Sequence, residues 1–380
     1  MNVSGAHASA KRPLLVYWGR RGALSHFVLG LAQVAGDRAV FSLSRQNELF
    51  GEIQSLGNPL VAVDTFDSYA GGILRLPRMI GIRRTMIDAI AHYRIDRVVV
   101  LMSHIWTPFL AAPVRRAKVR YAVIVHDAVP HPGDITALAN RWLLQDALWA
   151  DEVMTLSARV TEQLIGRFPA LAGRVRTVFL PTFASDQAAP ASDPAQPPGF
   201  LFFGRIMAYK GLPLFVEACE ILRARGHRFR IAVAGEGPLR DLCPPLEALG
   251  AEITNRWIEP GEVEPLVKRH DVMMATNIEA SQSGVIALAF GYGLPVIATP
   301  VGGIVGQVDH EQSGLLAAAA SPAAIADAME RILTEPGLLE RLRGGVRAHQ
   351  QTHSMSRFLD AITTDEPMAA GIAQHRDGRP

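Results

Sequence analysis

The stretch FLFFGRIMAYKG (residues 200–211) decides the fold. Its first four residues are apolar, which is typical of a strand buried on both faces of a parallel sheet, and Gly204 ends the run. Arg205 follows this strand, and Lys210 comes just before a helical pattern. An arginine fork and a lysine point charge beside the N-terminus of a helix suit a diphosphate. Two solvated surface cations would give the same sequence, so the motif alone leaves both interpretations open.

Strand-type runs alternate with helix-type runs on both sides of this stretch. In the N-terminal half, strands are predicted at 13–19, 39–44, 59–65, 97–103 and 120–127, and helices at 25–35 and 83–92. In the C-terminal half, strands are predicted at 200–204, 229–235, 251–258, 271–277 and 295–300, and helices near 211–225, 262–270 and 284–292. This alternation predicts an α/β fold with two Rossmann-like, doubly wound domains that face each other across a cleft.

A change of composition separates the two halves. Residues 181–199 are rich in Pro, Ala, Ser and Asp, which is typical of a linker. We therefore expect one Rossmann-like domain over 1–180 and a second over 200–345. Residues 346–366 are expected to form a C-terminal helix that packs back on the N-terminal domain, followed by a polar, frayed tail over 367–380.

The composition excludes several classes of protein. The 380 residues are 49% hydrophobic and 19% charged, which excludes global disorder. A net charge of +2 argues against a nucleic-acid binder, and two cysteines are too few for a disulfide scaffold. No apolar run approaches the roughly 18 residues of a membrane span, and the N-terminus does not resemble a secretory signal. A cytoplasmic protein is expected.

The near-neutral total charge hides a difference between the two halves. Residues 1–180 carry 21 Lys and Arg against 13 Asp and Glu, a net charge of +8. Residues 181–380 carry 17 against 23, a net charge of −6. A basic N-terminal domain therefore remains compatible with an anionic surface as partner.

Two more turns at predicted strand ends accompany the first one. Gly235-Glu236-Gly237 ends one strand, and its glycines allow close approach of a ligand, although a tight turn needs glycine anyway. Ser283 precedes an apolar helix, and exposed N–H groups at Ser283, Gly284 and Val285 would form a nest for sugar or phosphate oxygens. Because all three turns lie at the same edge of one sheet, they indicate a single ligand crevice.

The run from FFGR through KG, AGEGPLR and GLPVIATPVGG resembles the donor domain of the family 4 retaining glycosyltransferases (glycosyl transferases group 1). The resemblance covers most of 200–318, and the N-terminal half matches more loosely, through its Gly19–Gly22 loop and ADEVMTLS (150–157). It implies the GT-B fold and transfer of a hexose from a nucleotide-diphosphate sugar to an acceptor, with retention of configuration. No cofactor is implied, and no Asp-x-Asp triplet is present to hold a metal on the donor phosphates.

The resemblance also assigns roles to individual residues. Arg205 and Lys210 match the cations that hold the donor diphosphate, and Gly204 matches the turn that the donor approaches. The other expected donor-binding residues are Gly235, Gly237, Ser283, Gly284 and Val285. The residues expected to bind the acceptor are Gly19, Gly22 and Asp127.

This chain departs from the family where a pair of glutamates is usual. Ungapped alignment places Ala280 and Leu288 at the two positions, so Glu279 takes the first role only after a shift of one residue. With that shift the second position is Ala287, and the glutamate that the resemblance assigns to the nucleotide ribose is absent. The glutamate usual after the Gly-Gly loop is likewise replaced, by Gly306 with Gln307 beside it.

A histidine stands at the end of a predicted strand in the N-terminal half. His126 and Asp127 end the strand, and His131 follows. In the cleft, His126 would hydrogen-bond the transferred sugar, as a histidine of this loop often does in the family. A metal site of His126, Asp127 and His131 is the alternative, although no fourth ligand is spaced nearby.

A basic, apolar stretch suggests a second partner. Arg75, Arg78, Arg83 and Arg84 lie among leucines, isoleucines and methionines in LRLPRMIGIRRTMIDAI (74–90). Such a segment could rest on an anionic membrane surface, so that the protein would be peripheral on the inner face of the membrane and its acceptor a lipid-linked glycan. A second basic cluster is Arg115, Arg116, Lys118 and Arg120. A solvated helix face is the alternative.

Two other functions remain open, and a third is disfavoured. A catalytically degenerate GT-B protein that only binds a nucleotide sugar or a partner would fit the missing glutamate, and a sugar-nucleotide epimerase would share the architecture. A nicotinamide dehydrogenase is disfavoured because Gly19-Arg20-Arg21-Gly22 lacks the third glycine of the dinucleotide motif.

Overall fold

The computed structural model describes residues 12–66, 71, 75–129, 137–182, 196–239 and 241–364. They form two α/β domains, each with one parallel sheet. His131, most of the predicted linker and the predicted tail lie outside the described residues.

The N-terminal domain has seven strands in the order β3-β2-β1-β4-β5-β6-β7. The strands are β1 (Arg12–Tyr17), β2 (Val40–Ser44), β3 (Leu60–Val63), β4 (Ile95–Val100), β5 (Arg120–Val125), β6 (Glu152–Thr155) and β7 (Val175–Thr177). The helices are α1 (Ala23–Ala35), α2 (Phe50–Ser55), α3 (Arg78–His92), α4 (Pro108–Arg116), α5 (Ala137–Trp149) and α6 (Ala158–Arg167).

The C-terminal domain has six strands in the order β10-β9-β8-β11-β12-β13. The strands are β8 (Gly199–Phe203), β9 (Arg230–Ala234), β10 (Glu252–Thr254), β11 (Val272–Ala275), β12 (Val296–Ala298) and β13 (Gly314–Leu316). The helices are α7 (Leu212–Ala224), α8 (Cys243–Ala248), α9 (Pro260–Lys268), α10 (Gly284–Gly291), α11 (Pro322–Thr334) and α12 (Leu338–Thr352). The predicted pair of Rossmann-like domains is confirmed.

Burial on both faces of each sheet explains the continuous apolar runs. In β1, Leu14 and Val16 belong to one core cluster, whereas Leu15 and Tyr17 belong to the cluster on the opposite face. Both clusters are filled by helices packed on the sheet, so neither face of the strand is left for polar side chains.

Three strands, β6, β7 and β13, were missed by the sequence analysis, and one was predicted too long. β6 has only four residues, all of them buried. β7 and β13 have three residues each and lie at the edges of their sheets, where a short strand leaves little periodic signal. The strand predicted over 251–258 ends at Thr254, and Trp257 lies in the following loop with 47% of its surface exposed.

The last helix, α13 (Met355–Thr363), packs on the N-terminal domain. Its Phe358 meets the Phe27 ring of α1 at 5.3 Å between centroids, and Asp360 forms an ion pair of 2.9 Å with Arg38. The predicted boundary at 345 falls inside α12, whose Val346 is buried in the C-terminal core. The chain therefore changes domain only at His353.

Side chains of both domains meet where the chain changes domain. The His353 carbonyl accepts a hydrogen bond from the Thr182 N–H at 2.9 Å, which joins the two chain segments that connect the domains. The rings of His349 and His353 stack in parallel at 3.8 Å, and this pair lies between Phe290 at 4.7 Å and Phe179 at 4.8 Å. Aromatic contacts thus run from α10 of one domain to the core of the other.

No helix in the described part of the chain is long and apolar enough to cross a bilayer.

Candidate functional site

The carboxyl ends of β8, β9, β11 and β12 carry the three turns predicted to form one crevice, and backbone hydrogen bonds hold these turns together. Gly204 N–H donates to the Ala234 carbonyl at 2.9 Å, and Ile206 N–H donates to the Glu236 carbonyl at 2.8 Å. Gly303 N–H donates to the Ala280 carbonyl at 3.0 Å. The structure therefore brings the predicted donor-binding turns to one edge of the C-terminal sheet.

Close backbone approach accounts for the glycines of these turns. At Gly235, with φ +147°, a Cβ atom would lie 2.0 Å from the Gly204 carbonyl oxygen. At Gly237, with φ +157°, it would lie 2.2 Å from the Ile206 oxygen. A Cβ on Gly204 would lie 3.4 Å from a methyl of Val285, which sets the first turn against the start of α10. The glycines at 235 and 237 are thus required by loop packing, whether or not a ligand touches them.

Arg205 and Lys210 lie close enough for their charges to interact. The pKa of Lys210 is lowered to about 8, first by burial and then by the charge of Arg205. Among the described residues, no ion pair with a carboxylate is found for either cation. Gly211, with φ +68°, follows Lys210, and its carbonyl accepts from the Thr276 hydroxyl at 3.0 Å. Two adjacent cations without an acidic partner form a site prepared for an anion.

The N-terminus of α10 is partly occupied by a side chain of the protein. Gln307 Oε1 accepts from the Ser283 N–H at 2.6 Å, and Gln307 Nε2 donates to the Ser283 carbonyl at 3.3 Å. The expectation that the Ser283 N–H belongs to an exposed nest is therefore wrong. The first-turn N–H groups of Gly284 and Val285 remain, because helix geometry gives them no intrahelical acceptor.

Three buried polar atoms before α10 lack a hydrogen-bond partner. They are Asn277 Nδ2, Gln282 Oε1 and Ser283 Oγ. Buried polar groups are normally satisfied, so these atoms are candidates to bond to hydroxyl groups of a ligand. The sequence analysis did not single out Asn277 or the Gln282 side chain, because only their burial distinguishes them.

Glu279 is exposed, whereas Ala280 is 5% exposed and its carbonyl is bonded to Gly303. The exposed carboxylate is thus that of Glu279, one residue before Ala280, the position that ungapped alignment gives to the first glutamate of the family. Ala287 is buried and Leu288 is half-buried, so neither candidate position supplies a polar group to the crevice.

His126 lies at the carboxyl edge of the N-terminal sheet with one ring nitrogen engaged. Its Nε2 is 2.8 Å from the Leu101 carbonyl oxygen, which fixes Nε2 as the protonated nitrogen. Burial lowers its pKa, and the bond to Leu101 and the Asp127 charge oppose that shift in part. The neutral ring keeps Nδ1 as an acceptor for a hydroxyl group.

The glycines predicted to bind the acceptor form the turn before α1. Gly22, with φ +105°, donates its N–H to Glu48 Oε1 at 2.8 Å, and the Gly19 carbonyl accepts from Asn47 at 2.8 Å. Both glycines already have protein partners, so a role toward an acceptor falls to the remaining backbone groups of this loop.

The sequence analysis missed His104, which follows β4. Its ring stacks on Phe66 at 5.0 Å and meets Trp106 edge-on at 6.0 Å. Burial, and next the charge of Arg20, lower its pKa to about 4, so the ring is neutral near pH 7. The only signal in the sequence is a histidine just after a predicted strand.

A buried carboxyl group supports the His104 loop from below. Asp146 of α5 bonds to the Thr107 hydroxyl and accepts from the Tyr121 hydroxyl at 2.8 Å. The Thr107 hydroxyl also accepts the His104 N–H at 2.9 Å. Burial raises the pKa of Asp146 to about 7. Within the ranges that the structure describes, three or more His, Cys, Asp or Glu residues nowhere gather as a metal site.

Known proteins resemble this chain at two levels. Residues 197–335 match the family model described as "Glycosyl transferases group 1". The D-inositol 3-phosphate glycosyltransferase of Saccharomonospora viridis is 29% identical over 271 residues, which are 65% of this chain and 61% of the relative. The 2-deoxystreptamine glucosyltransferase of Streptomyces kanamyceticus is 29% identical over 280 residues, 64% of this chain and 70% of the relative. The match thus spans about three fifths of the first relative's length.

Solved structures share the fold of nearly the whole chain. Anabaena Alr3699/HepE in complex with UDP and glucose superposes with a TM-score of 0.68 at 14% identity, covering 93% of this chain and 99% of that one. The glycosyltransferase from Rickettsia africae ESF-5 gives 0.70 at 15% identity, covering 93% and 98%. The family model thus matches one segment of the C-terminal half, and the solved structures share the two-domain GT-B fold of this chain.

Proposed function

We propose that the protein transfers a hexose from a nucleotide-diphosphate sugar to an acceptor hydroxyl, as a family 4 enzyme that retains the anomeric configuration. The pair Arg205 and Lys210 carries this proposal. These adjacent cations lie at the carboxyl end of β8, and Gly204 packs against the start of α10. Solved structures of this fold include complexes with UDP and with UDP-glucose, which supports the same class of donor here.

Each charged group has a defined task in the proposed reaction. The bond between the anomeric carbon and the donor phosphate oxygen breaks, and its electron pair passes to the departing diphosphate. Arg205, Lys210 and the first-turn N–H groups of α10 stabilise that negative charge, so the step as proposed needs no metal ion and no cofactor. The acceptor hydroxyl attacks the same face of the sugar and gives its proton to the departing phosphate oxygen.

The remaining groups of the crevice are assigned to the sugar. The exposed Glu279 carboxylate and the unpartnered atoms of Asn277 and Gln282 bond to its hydroxyl groups from the donor domain. His126 bonds to it from the other domain through Nδ1. Gly19, Gly22 and Asp127 belong to loops on the acceptor side. Closure of the two domains over the donor excludes water and so limits hydrolysis.

The acceptor is proposed to be a glycan or a lipid-linked glycan in the assembly of cell-surface polysaccharide. The basic stretch with Arg75, Arg78, Arg83 and Arg84 supports this acceptor class, because it would hold a cytoplasmic protein at an anionic membrane surface.

Release of nucleoside diphosphate with a donor and an acceptor tests the proposal. A thermal-shift screen of nucleotide sugars first identifies the donor, since a ligand of the native state raises its apparent stability. Arg205→Ala and Lys210→Ala should each lower kcat/KM by roughly a hundredfold, or about 3 kcal/mol, because each removes one charge from the leaving group. Arg228→Ala, an exposed arginine of the same domain, should leave turnover unchanged. Wild-type turnover in both site variants would refute the assignment.

The titration of Lys210 checks the same assignment independently. With a pKa of about 8, Lys210 is charged below that pH and neutral above it. Donor kcat/KM should therefore decline above about pH 8 in the wild type. Lys210→Arg should remove this decline, because a guanidinium stays charged.

The two alternative functions give different products. A binding protein would show donor-dependent stabilisation without nucleoside diphosphate release, a result favoured by the apolar residues at 287 and 288. An epimerase would convert the donor with no acceptor present.

A further inference from the structure

The outer face of α3 forms an open apolar groove with α4. The groove has a volume of about 400 Å³ and is lined by Ile80, Arg83, Arg84, Ile87, Asp88 and Pro113. We refer to it as the α3–α4 groove. It lies on the N-terminal domain and shares no residue with the crevice described above.

The groove has one exposed isoleucine, Ile80, whereas its second isoleucine, Ile87, is half-buried and packs against the core. The core-facing side of α3 is formed by Met79, Ile82, Met86, Ala89 and Ile90. Ile80 and Ile87 lie two turns apart on another side of the helix, with Arg83 and Arg84 between them. Ile80 is 61% exposed and is the most exposed large apolar residue in the described part of the chain. Leu76, in the turn before α3, is 41% exposed.

The arginines of the groove lack the carboxylate partners that several other surface arginines have. Arg115, Arg256 and Arg269 form ion pairs of 3.0, 2.6 and 3.2 Å with Asp151, Glu262 and Glu252. Within the described ranges, neither Arg83 nor Arg84 has a carboxylate within 4.0 Å, although Asp88 lies in the same groove. On a helix face that meets only solvent, we would expect such arginines to form ion pairs with acidic residues three or four positions away.

The second wall of the groove adds positive charge. Pro113 and Arg116 of α4 lie one turn apart on the same side of that helix, and Arg116 is exposed. Lys118 follows α4 and is also exposed. The residues that line the groove are therefore three apolar ones, two arginines and one acid, in a half of the chain with a net charge of +8.

We propose that the α3–α4 groove is the membrane-docking site of this protein and takes one anionic phospholipid of the bilayer surface. Its phosphate bonds to Arg83 and Arg84, and its first methylenes cover Ile80 and Ile87. A lipid fits the groove better than a free phosphate does. The acyl chains of a lipid would remove the Ile80 side chain from water while its phosphate binds the arginines, and a free phosphate would leave Ile80 exposed. The inference deepens the proposed function by naming where the membrane binds.

Sedimentation of the full chain with vesicles tests the site without any need for transfer activity. Vesicles of phosphatidylcholine with phosphatidylglycerol should bind the wild type at low salt, and vesicles of phosphatidylcholine alone should not. Arg83→Gln together with Arg84→Gln should weaken binding roughly twentyfold, from about fivefold for each charge near an anionic surface. Ile80→Ser should weaken it severalfold at a salt concentration where the charges are screened.

Matched variants elsewhere on the surface distinguish vesicle binding through the groove from a general effect of surface charge or of an exposed apolar residue. Arg228→Gln with Arg347→Gln removes the same charge from exposed sites of the C-terminal domain, and Leu56→Ser removes an apolar residue that is 43% exposed. Both controls should bind as the wild type does. Equal losses in the controls and the groove variants, or wild-type binding by the groove variants, would overturn the proposal.

Two further readouts complete the test. Soluble glycerol phosphate in excess should fail to displace the protein from vesicles; displacement would overturn the lipid assignment in favour of a site for the free phosphate. Donor-only assays should give the same rate for groove variants and wild type. If vesicle binding holds while the protein proves inactive with every nucleotide sugar, the proposed function fails and the docking site stands.

Discussion

The two edges that face the cleft are built in different ways. At the C-terminal edge, backbone meets backbone: glycines at 211, 235, 237 and 303 let one turn touch the next. At the N-terminal edge, buried side chains hold the loops, through Asp146 beneath the His104 loop. Short runs of sequence encode the first kind of site, whereas the second kind is assembled from segments far apart in the chain.

The largest effect is expected where a close backbone contact coincides with a left-handed backbone conformation. A Cβ on Gly211 would lie 1.9 Å from the Thr276 carbonyl oxygen, at φ +68°. Overpacking of about 3 kcal/mol and a left-handed penalty of about 2 kcal/mol should together lower the free energy of unfolding by about 5 kcal/mol in Gly211→Ala. Denaturant unfolding measures this loss.

Gly226→Ala is the matched control, because φ is +85° there and a Cβ would meet nothing within 4 Å. It should cost only about 2 kcal/mol, because the left-handed penalty remains and the overpacking is absent. Equal losses in the two variants would show that close approach does not distinguish the C-terminal edge.

The second effect concerns the buried acid of the N-terminal edge. Asp146 keeps its proton in the folded protein up to about pH 7, whereas the unfolded chain loses it near pH 3.8. Its contribution to stability is therefore complete below about pH 4 and is lost as pH rises toward 7, by up to about 4 kcal/mol. Asp146→Asn removes this titration with little change of shape. The stability of the wild type relative to Asp146→Asn should fall across that range.

His104 and His353, whose pKa values burial lowers to about 4, titrate in the opposite sense. They are present in both proteins and cancel in the difference. A difference that stays constant with pH would mean that Asp146 is ionised in the folded state.

The smallest effect is expected where the Gln307 side chain bonds to the start of α10. Gln307→Leu removes both bonds to Ser283, so the free energy of unfolding should fall by about 1 to 2 kcal/mol. The freed N–H at the start of α10 would then face the donor, and donor KM should change more than kcat. A change confined to kcat would contradict this placement of the helix N-terminus.

The fold was largely predictable because strands buried on both faces leave continuous apolar runs, such as 200–204 and 120–127. The C-terminal edge was predictable to the extent that it is local: Gly204, Arg205 and Lys210 lie within seven residues of one another. The occupied N–H of Ser283 was not, since its partner Gln307 is 24 residues away and identified only by folding.

The N-terminal edge was the least predictable part of the candidate site. Asp146, Thr107 and Tyr121 come from two helix-adjacent segments and a strand, and no spacing in the sequence relates them. An acidic residue in an apolar helix is the single trace of this network, and it also fits an ordinary exposed position. β7 and β13 were missed for a related reason. An edge strand of three residues is stabilised by pairing with the neighbouring strand, and its own sequence carries little signal.

The bond between Thr182 and His353 has a mechanical consequence. The polypeptide passes between the domains twice, and at this bond the two passages are tied together. The two connecting segments therefore act as a single hinge, and a change in the angle between the domains would be a rotation about this hinge. The Ser157 hydroxyl also donates to the Ser281 carbonyl at 3.1 Å, which is another direct contact between the domains. Rotation of one domain away from the other would break this bond.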